Sequence, residues 1–211
     1  METIAWIGFT LGIFIALLLI FKKDAAVYDK VLASWLSLLA IEFLTLGIDF
    51  RVFGKPLLSS SFLLINPAFY LYVKSLINPK FRLKPIQLLH LLPYILFETI
   101  AYIVNKPFTV QSFFDSQYST FYGLIFITVN LLSWAFYNSY STISVLTWPH
   151  KLENALSNIE SEEYLKWVRF IVIFYNLYCA LVLISGLLGL IFKINFMLPQ
   201  IFNHSAMLAL S

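Results

Sequence analysis

The sequence predicts an all-α fold, a polytopic membrane helix bundle with six complete spans and a seventh that reaches the C-terminus. Hydrophobic residues make up 60% of the 211 residues and charged residues 12%, about half the charged share of a typical soluble domain. The apolar residues are collected in long runs, and the fourteen Lys and Arg residues lie mostly between these runs. A chain of this size cannot hide so much apolar surface from water, so lipid is the expected solvent.

Each span is predicted from the length of its apolar run, because a helix needs about 20 mostly apolar residues to cross a bilayer. Six runs meet this requirement: Thr3–Phe21, Val31–Ile48, Pro56–Ile77, Ile86–Val104, Tyr118–Leu146 and Trp167–Phe192. A seventh segment begins near Asn195 and runs to Ser211. The first run has Glu2 in front of it and its lysines behind it, the reverse of a secretory signal. We therefore expect a retained first span and a single transmembrane domain over residues 1–211.

The basic residues alternate between the two sets of connections. The connections after the first, third and fifth runs contain ten of them: Lys22, Lys23, Lys30, Lys74, Lys80, Arg82, Lys84, Lys151, Lys166 and Arg169. The other connections contain four: Arg51, Lys55, Lys106 and Lys193. Cytoplasmic loops carry the Lys/Arg excess. The pattern therefore predicts an N-terminus outside and, with seven spans, a C-terminus in the cytoplasm.

The inner connection over residues 147–166 has a helical pattern of its own. Leu152, Leu156 and Ile159 recur at helical spacing, and acidic residues fall on the other faces. The pattern favours a short amphipathic helix at the membrane surface. The alternative is an element that couples the bundle to a cytoplasmic partner.

Two carboxylates inside the predicted spans are candidate functional groups, because charge at bilayer depth is costly. They are Glu42 in the second span and Glu98 in the fourth. Tyr102 follows Glu98 by one turn, and Pro93 is predicted to kink the helix and open space for water or ligand. Structural hydrogen bonding is the alternative role for both acids. His90, nearer the cytoplasmic end, is interpreted as an interfacial histidine.

The fifth span has polar and aromatic residues at three- and four-residue spacing, which places them on one helix face. They are Asn130, Ser133, Trp134, Tyr137, Ser141 and Ser144. Such a face mediates helix association or forms the wall of a ligand pocket. The candidate ligand-binding or sensing residues of the chain are thus Glu42, Glu98, Tyr102, Asn130, Trp134 and Tyr137.

The sequence contains no motif that indicates an enzyme. The zinc-protease, P-loop and nucleophile-elbow patterns do not occur. The three histidines are far apart in sequence, and Cys179 is the single cysteine. We expect no catalytic residues, no metal site and no cofactor.

The local text from Asn66 to Leu76, NPAFYLYVKSL, is the most distinctive part of the chain, together with FRLK at 81–84, LHLLP at 89–93 and EYLKWV at 163–168. These stretches resemble the N-terminal membrane domain of membrane-bound AraC-type transcriptional regulators of Bacteroidetes bacteria. The resemblance implies a multi-span domain of the bacterial inner membrane that precedes a cytoplasmic helix-turn-helix module. No basic recognition helix occurs in these 211 residues, so this chain is not expected to contact nucleic acid directly.

The leading hypothesis is a sensory or anchoring transmembrane domain of a membrane-bound transcriptional regulator. It would pass a ligand or membrane signal to the helix-turn-helix module that is missing here. The expected partners are the lipid bilayer, an unidentified small-molecule ligand and a second copy of the chain in a homodimer. The alternative is a small transporter or carrier, which the embedded acids would suit, and a third hypothesis is a membrane scaffold. Substrate or proton flux that falls on Glu98→Gln substitution would favour the transporter.

Overall fold

In the computed structural model, the described residues are 2–45, 62–78, 81–104, 121–148 and 159–192, and their regular secondary structure is entirely helical. The helices are α1 (Glu2–Ile20), α2 (Val27–Thr45), α3 (Phe62–Ile77), α4 (Leu92–Val104), α5 (Phe121–Thr147) and α6 (Ile159–Phe192). A short 3₁₀ segment (Pro85–Leu91) precedes α4. The all-α prediction is confirmed for this part of the chain.

The fourth predicted span consists of two kinds of helix. The 3₁₀ segment begins with Pro85, and the side chain of Gln87 accepts a hydrogen bond of 2.9 Å from the Lys84 N–H. Helix α4 follows directly, with Pro93 as its second residue. At the start of a helix, backbone N–H groups have no acceptor within the helix, so a proline there loses no hydrogen bond. Pro93 therefore lies at the junction of the two helices and does not kink the middle of one.

The connection between α1 and α2 is short and held by one carboxylate. Asp29 accepts hydrogen bonds from the Ala26 N–H at 2.9 Å and from Lys22 Nζ at 3.0 Å. The bond to Ala26 is the returning half of a capping box. Asp24 has a φ of 64°, which lets the chain reverse. The hydrogen bond to Asp29 raises the pKa of Lys22 above its ordinary value of 10.5, although desolvation opposes the shift.

Helices α1 and α2 approach each other closely at a glycine. A Cβ atom added to Gly12 would lie 2.9 Å from Ala40 Cβ and 3.4 Å from the Leu36 carbonyl oxygen. Small residues at such a crossing allow two backbones to pack together. Gly12 therefore fixes the distance between α1 and α2.

Contacts between side chains show that α5 and α6 run in opposite directions. Asn176 of α6 donates a hydrogen bond to Thr142 Oγ1 of α5 at 3.3 Å. One turn earlier in α5, Asn138 lies beside Cys179, which comes one turn later in α6. The order of contacts is reversed along the two helices, as expected for an antiparallel pair.

Helices α3 and α4 are antiparallel as well. The ring of His90, just before α4, contacts Tyr70 in the second half of α3. Phe97 and Ala101, further along α4, pack with Leu63 at the start of α3. Together with the reversal between α1 and α2, these contacts give an up-and-down arrangement of neighbouring helices.

The centre of the bundle is aromatic. Trp35 of α2 lies between Phe69 and Tyr72 of α3 and Tyr175 of α6, with ring-centroid distances of 5.1, 6.0 and 5.4 Å. Phe69 and Tyr175 approach to 3.9 Å. All four side chains are buried, so this cluster joins α2, α3 and α6.

Several polar side chains are buried in the bundle alongside its apolar core, and many large apolar side chains are exposed. The buried polar residues are Asp29, Glu42, Asn66, Ser75, Asn130, Asn138 and Ser141. Large apolar side chains are exposed on the outer faces of α1, α4, α5 and α6; examples are Phe14, Ile103, Leu132 and Ile173. So many exposed large apolar side chains are unusual in a water-soluble domain.

On length and composition, one helical stretch among the described residues can cross a membrane: Pro85–Ile103, of which 11% is buried. Two shorter apolar helices are Trp6–Ile20 and Leu63–Ile77. The seventh segment, residues 195–211, and positions 149–158 of the inner connection lie outside the described residues. The end of that connection, from Ile159, is continuous with the sixth predicted span in α6.

Candidate functional site

The polar face predicted for the fifth span lies inward in α5. Asn130, Asn138 and Ser141 are buried, and Trp134 and Tyr137 are partly buried. The opposite face exposes apolar side chains, namely Leu132, Phe136, Ile143 and Leu146. The three- and four-residue spacing was the signal that identified this face.

Four helices bring polar groups together near the middle of the bundle, and we call this set the polar core cluster. Its members are Glu42 of α2, Asn66 of α3, Trp134 and Asn138 of α5, and Tyr175, Tyr178 and Cys179 of α6. The cluster combines two predicted site residues, Glu42 and Trp134, with five that the sequence reasoning did not select. These five come from three helices, and the spacing within one helix does not show that they meet.

Two sets of contacts hold the polar core cluster together. The Tyr175 hydroxyl donates a hydrogen bond of 2.8 Å to Asn66 Oδ1, and both side chains are buried. The Cys179 thiol lies beside Asn138, Trp134 and Tyr175. Except for Tyr175 with Cys179, which are both in α6, these contacts cross between two helices. The cluster therefore depends on how α6 packs against α3 and α5.

Glu42 places a carboxyl group in the same region. Its side chain is 1% exposed and is close enough to the Tyr178 hydroxyl for an electrostatic interaction. The oxygen atoms of a carboxyl group can accept hydrogen bonds from polar partners.

Asn138 is the least satisfied member of the polar core cluster. It is 2% exposed, and in the part of the chain that the structure describes neither its amide oxygen nor its amide nitrogen has a hydrogen-bond partner. The neighbouring thiol is only a weak donor and acceptor. The indole nitrogens of Trp35 and Trp134 are also buried without a partner there. Buried polar groups in this state cost free energy, and they are available to a polar partner.

A second group of residues lies around His90, and we call it the aromatic cluster: Tyr70, His90, Tyr137 and Tyr140. His90 Nδ1 and the Tyr137 hydroxyl share a hydrogen bond of 2.6 Å, and the histidine tautomer decides which atom donates. The Tyr70 ring contacts all three other rings. Lys74 Nζ donates to the Tyr70 hydroxyl at 3.1 Å. The structure thus gives His90 a partner within the bundle, and it ties the 3₁₀ segment to α3 and α5.

The remaining predicted site residues lie elsewhere. Glu98 of α4 is partly buried, whereas Tyr102 is 44% exposed on the same helix. Helix α4 packs through Phe97 and Ala101 against the start of α3, where Val129, the neighbour of Asn130, also makes contact. The six predicted residues are therefore divided among the polar core cluster, the aromatic cluster and this α4 contact.

The side chains of the polar core cluster offer hydrogen-bond donors and acceptors. In the described ranges no group of three or more His, Cys, Asp or Glu residues could hold a metal ion. The Cys179 thiol is surrounded by amide, phenol and indole groups, whereas an activated thiol needs a base or a positive charge beside it. What the polar core cluster can do is exchange hydrogen bonds.

Comparison with protein-family models, with curated proteins and with solved structures gives no match. The described residues form a helical bundle that buries several polar groups within a largely apolar core and exposes many large apolar side chains. Any assignment of function has to start from that distribution and from the two clusters.

Proposed function

We propose that this chain is a multi-pass membrane domain, with its N-terminus outside and its C-terminus in the cytoplasm. The observation that carries the proposal is the position of polar and apolar side chains. Glu42, Asn66 and Asn138 are buried, while large apolar side chains cover the outer faces of four helices. Lipid solvates such an exterior, and polar residues in membrane bundles face inward.

The directions of the helices support the orientation. Because neighbouring helices alternate in direction, the end of α1, the end of α3 and the start of α6 belong to one end of the bundle. Lys22 and Lys23, Lys74, and Lys166 are at these three places. A basic end of this kind faces the cytoplasm in membrane proteins.

Cysteine labelling in intact cells tests the topology. In a Cys179→Ser background, single cysteines replace Lys23 and Lys106, which the proposal assigns to opposite sides. A membrane-impermeant maleimide is expected to label Lys106→Cys directly and Lys23→Cys only after permeabilisation. The reverse pattern would refute the orientation, and recovery of the protein outside the membrane fraction would refute the membrane assignment.

We further propose that the domain is the sensory or anchoring part of a membrane-bound transcriptional regulator. The resemblance of the third-to-fourth-span text to AraC-type regulators supports this role. The unpaired amide of Asn138 supports it physically. An unpaired buried polar group is costly, so a second arrangement that gave this amide a partner would be stabilised. A signal that interacts differently with the two arrangements would shift their populations.

Transcript profiling tests the regulatory role. Deletion of the gene is expected to change a small set of transcripts, and the wild-type gene should restore them. An Asn138→Leu variant removes the unpaired amide, so it should restore the transcripts incompletely. Ser139→Leu, at the exposed neighbouring position, is the matched control and should behave as wild type. A deletion without effect on transcription would exclude the proposed role.

A further inference from the structure

A groove at the basic end of the bundle lies outside both clusters, apart from the edge of His90. It has a volume of about 490 Å³ and lies between the end of α1, α2, α3 and the 3₁₀ segment. Its walls are mainly apolar, from Ile20, Leu38, Leu64, Leu71 and Leu88. Binding sites for small molecules occupy about 300–1,000 Å³ and are mostly apolar with a few polar groups. The groove fits that description.

The charged side chain that lines the groove is basic. Lys84 contributes to its lining, and none of the residues that line it is acidic. Ser34 also lines it, and the Ser34 hydroxyl donates to the backbone carbonyl of Lys30 one turn earlier. Lys30 therefore lies on the same face of α2, one turn nearer the basic end. Two lysines from different elements thus flank an apolar space.

We propose that the groove binds one acyl chain of an anionic phospholipid from the cytoplasmic leaflet, with the lipid phosphate at Lys30 and Lys84. The proposal rests on the membrane assignment made above. The charge of these lysines selects the lipid, because the cytoplasmic leaflet contains anionic headgroups and basic pockets between helices bind them. The apolar walls of the groove contact the acyl chain.

The position of the groove suggests how the lipid acts on the domain. The groove is lined by both Pro67 of α3 and the 3₁₀ segment that includes His90. His90 is bonded to Tyr137 of α5, and Asn66, beside Pro67, is bonded to Tyr175 of α6. A bound acyl chain therefore contacts elements that are connected to both clusters. Through this contact, the lipid composition of the membrane would affect the polar core cluster.

Native mass spectrometry of the detergent-purified chain tests the proposal with two lipids that share oleoyl chains, phosphatidylglycerol and phosphatidylcholine. Phosphatidylglycerol should be retained in preference to phosphatidylcholine. Lys84→Gln should lower its retention about five-fold, the factor expected for one lysine beside an anionic headgroup. Ser34→Phe, which fills the groove from α2, should abolish retention of both lipids. The Ser34 hydroxyl donates to the Lys30 carbonyl within α2 and does not join two helices through that bond, so this variant is expected to fold.

Two substitutions serve as matched controls. Lys166→Gln removes an exposed lysine of α6, and Ser139→Phe adds the same ring to an exposed position of α5; neither residue lines the groove. Both should retain phosphatidylglycerol as wild type does. Circular dichroism checks that all four variants are folded.

Three outcomes would overturn the lipid site. These are equal retention of the two lipids, an equal loss with Lys166→Gln, and full retention with Ser34→Phe. If Ser34→Phe instead converts a dimer to a monomer without changing lipid retention, the groove is a contact between copies and the proposal fails. Because the assay needs neither a topology nor a transcript measurement, its failure leaves the results on the proposed function separate.

Discussion

The hydrogen bond between Tyr175 and Asn66 should contribute measurably to the stability of the bundle. Tyr175→Phe deletes the hydroxyl that donates to Asn66 Oδ1 at 2.8 Å and leaves the ring in place. Both side chains are buried, so water cannot replace the lost donor. An unpaired buried acceptor costs about 1–3 kcal/mol, while hydrogen bonds between membrane helices average about 0.6 kcal/mol and reach about 1.7. We therefore expect a loss of about 1–2 kcal/mol.

A double-mutant cycle isolates the pair. The free energy of unfolding is measured by circular dichroism in mixed micelles, with increasing sodium dodecyl sulfate, for wild type, Tyr175→Phe, Asn66→Leu and the double variant. The expected coupling energy is about 1 kcal/mol. Tyr140→Phe is the matched control, because Tyr140 is 54% exposed and its substitution should change the free energy by less than about 0.5 kcal/mol.

The reasoning would be refuted by a coupling energy below about 0.3 kcal/mol, which is within the error of additive behaviour. It would also be refuted if Tyr140→Phe destabilised the bundle as much as Tyr175→Phe. Either result would mean that α3 and α6 are not joined by this bond in the folded state.

Three further predictions concern other contacts. Gly12→Val should lower the free energy of unfolding by about 1–3 kcal/mol, because the added Cβ would lie 2.9 Å from Ala40 Cβ. The same titration measures this change, and unchanged stability would contradict the close approach of α1 and α2. Asn138→Leu should raise the free energy of unfolding by about 1 kcal/mol, since it replaces an unpaired buried amide; a loss would mean that the amide is satisfied. The hydrogen bond to Asp29 raises the pKa of Lys22 above 10.5. The stabilisation that this pair contributes is therefore complete below pH 10.5 and is lost as the pH rises through the folded-state pKa. Melting temperatures of wild type and Lys22→Gln should therefore differ at about pH 9 and converge at about pH 12, and a constant difference would argue against the pair.

The periodicity of the sequence predicted the features that depend on one helix alone, namely its position along the chain and its buried face. The spacing of polar residues in the fifth span placed Asn130 and Ser141 on one face, and both are buried. The apolar runs located the described helices, although α6 begins at Ile159, eight residues before the predicted start at Trp167. These features follow from the 3.6-residue repeat, which a sequence displays directly.

Pairings between helices could not be predicted in this way. His90 was interpreted as interfacial, yet it bonds Tyr137, 47 residues further along the chain. Tyr102 lies one turn after Glu98 in α4, and its side chain is 44% exposed, which the sequence alone did not indicate. The axial position and rotation of each helix decide such contacts, and neither quantity is encoded in the spacing of one segment.

The 3₁₀ winding of Pro85–Leu91 sets a length as well as a set of contacts. A 3₁₀ helix rises about 2.0 Å per residue and an α-helix about 1.5 Å, so rewinding these seven residues as an α-helix would shorten the segment by about 3.5 Å. It would also lower the rotation about the helix axis between successive residues by about 20°. His90 could not then keep its bond to Tyr137 unless α4 moved along its axis. The segment therefore converts a change of local winding into a displacement between α4 and α5.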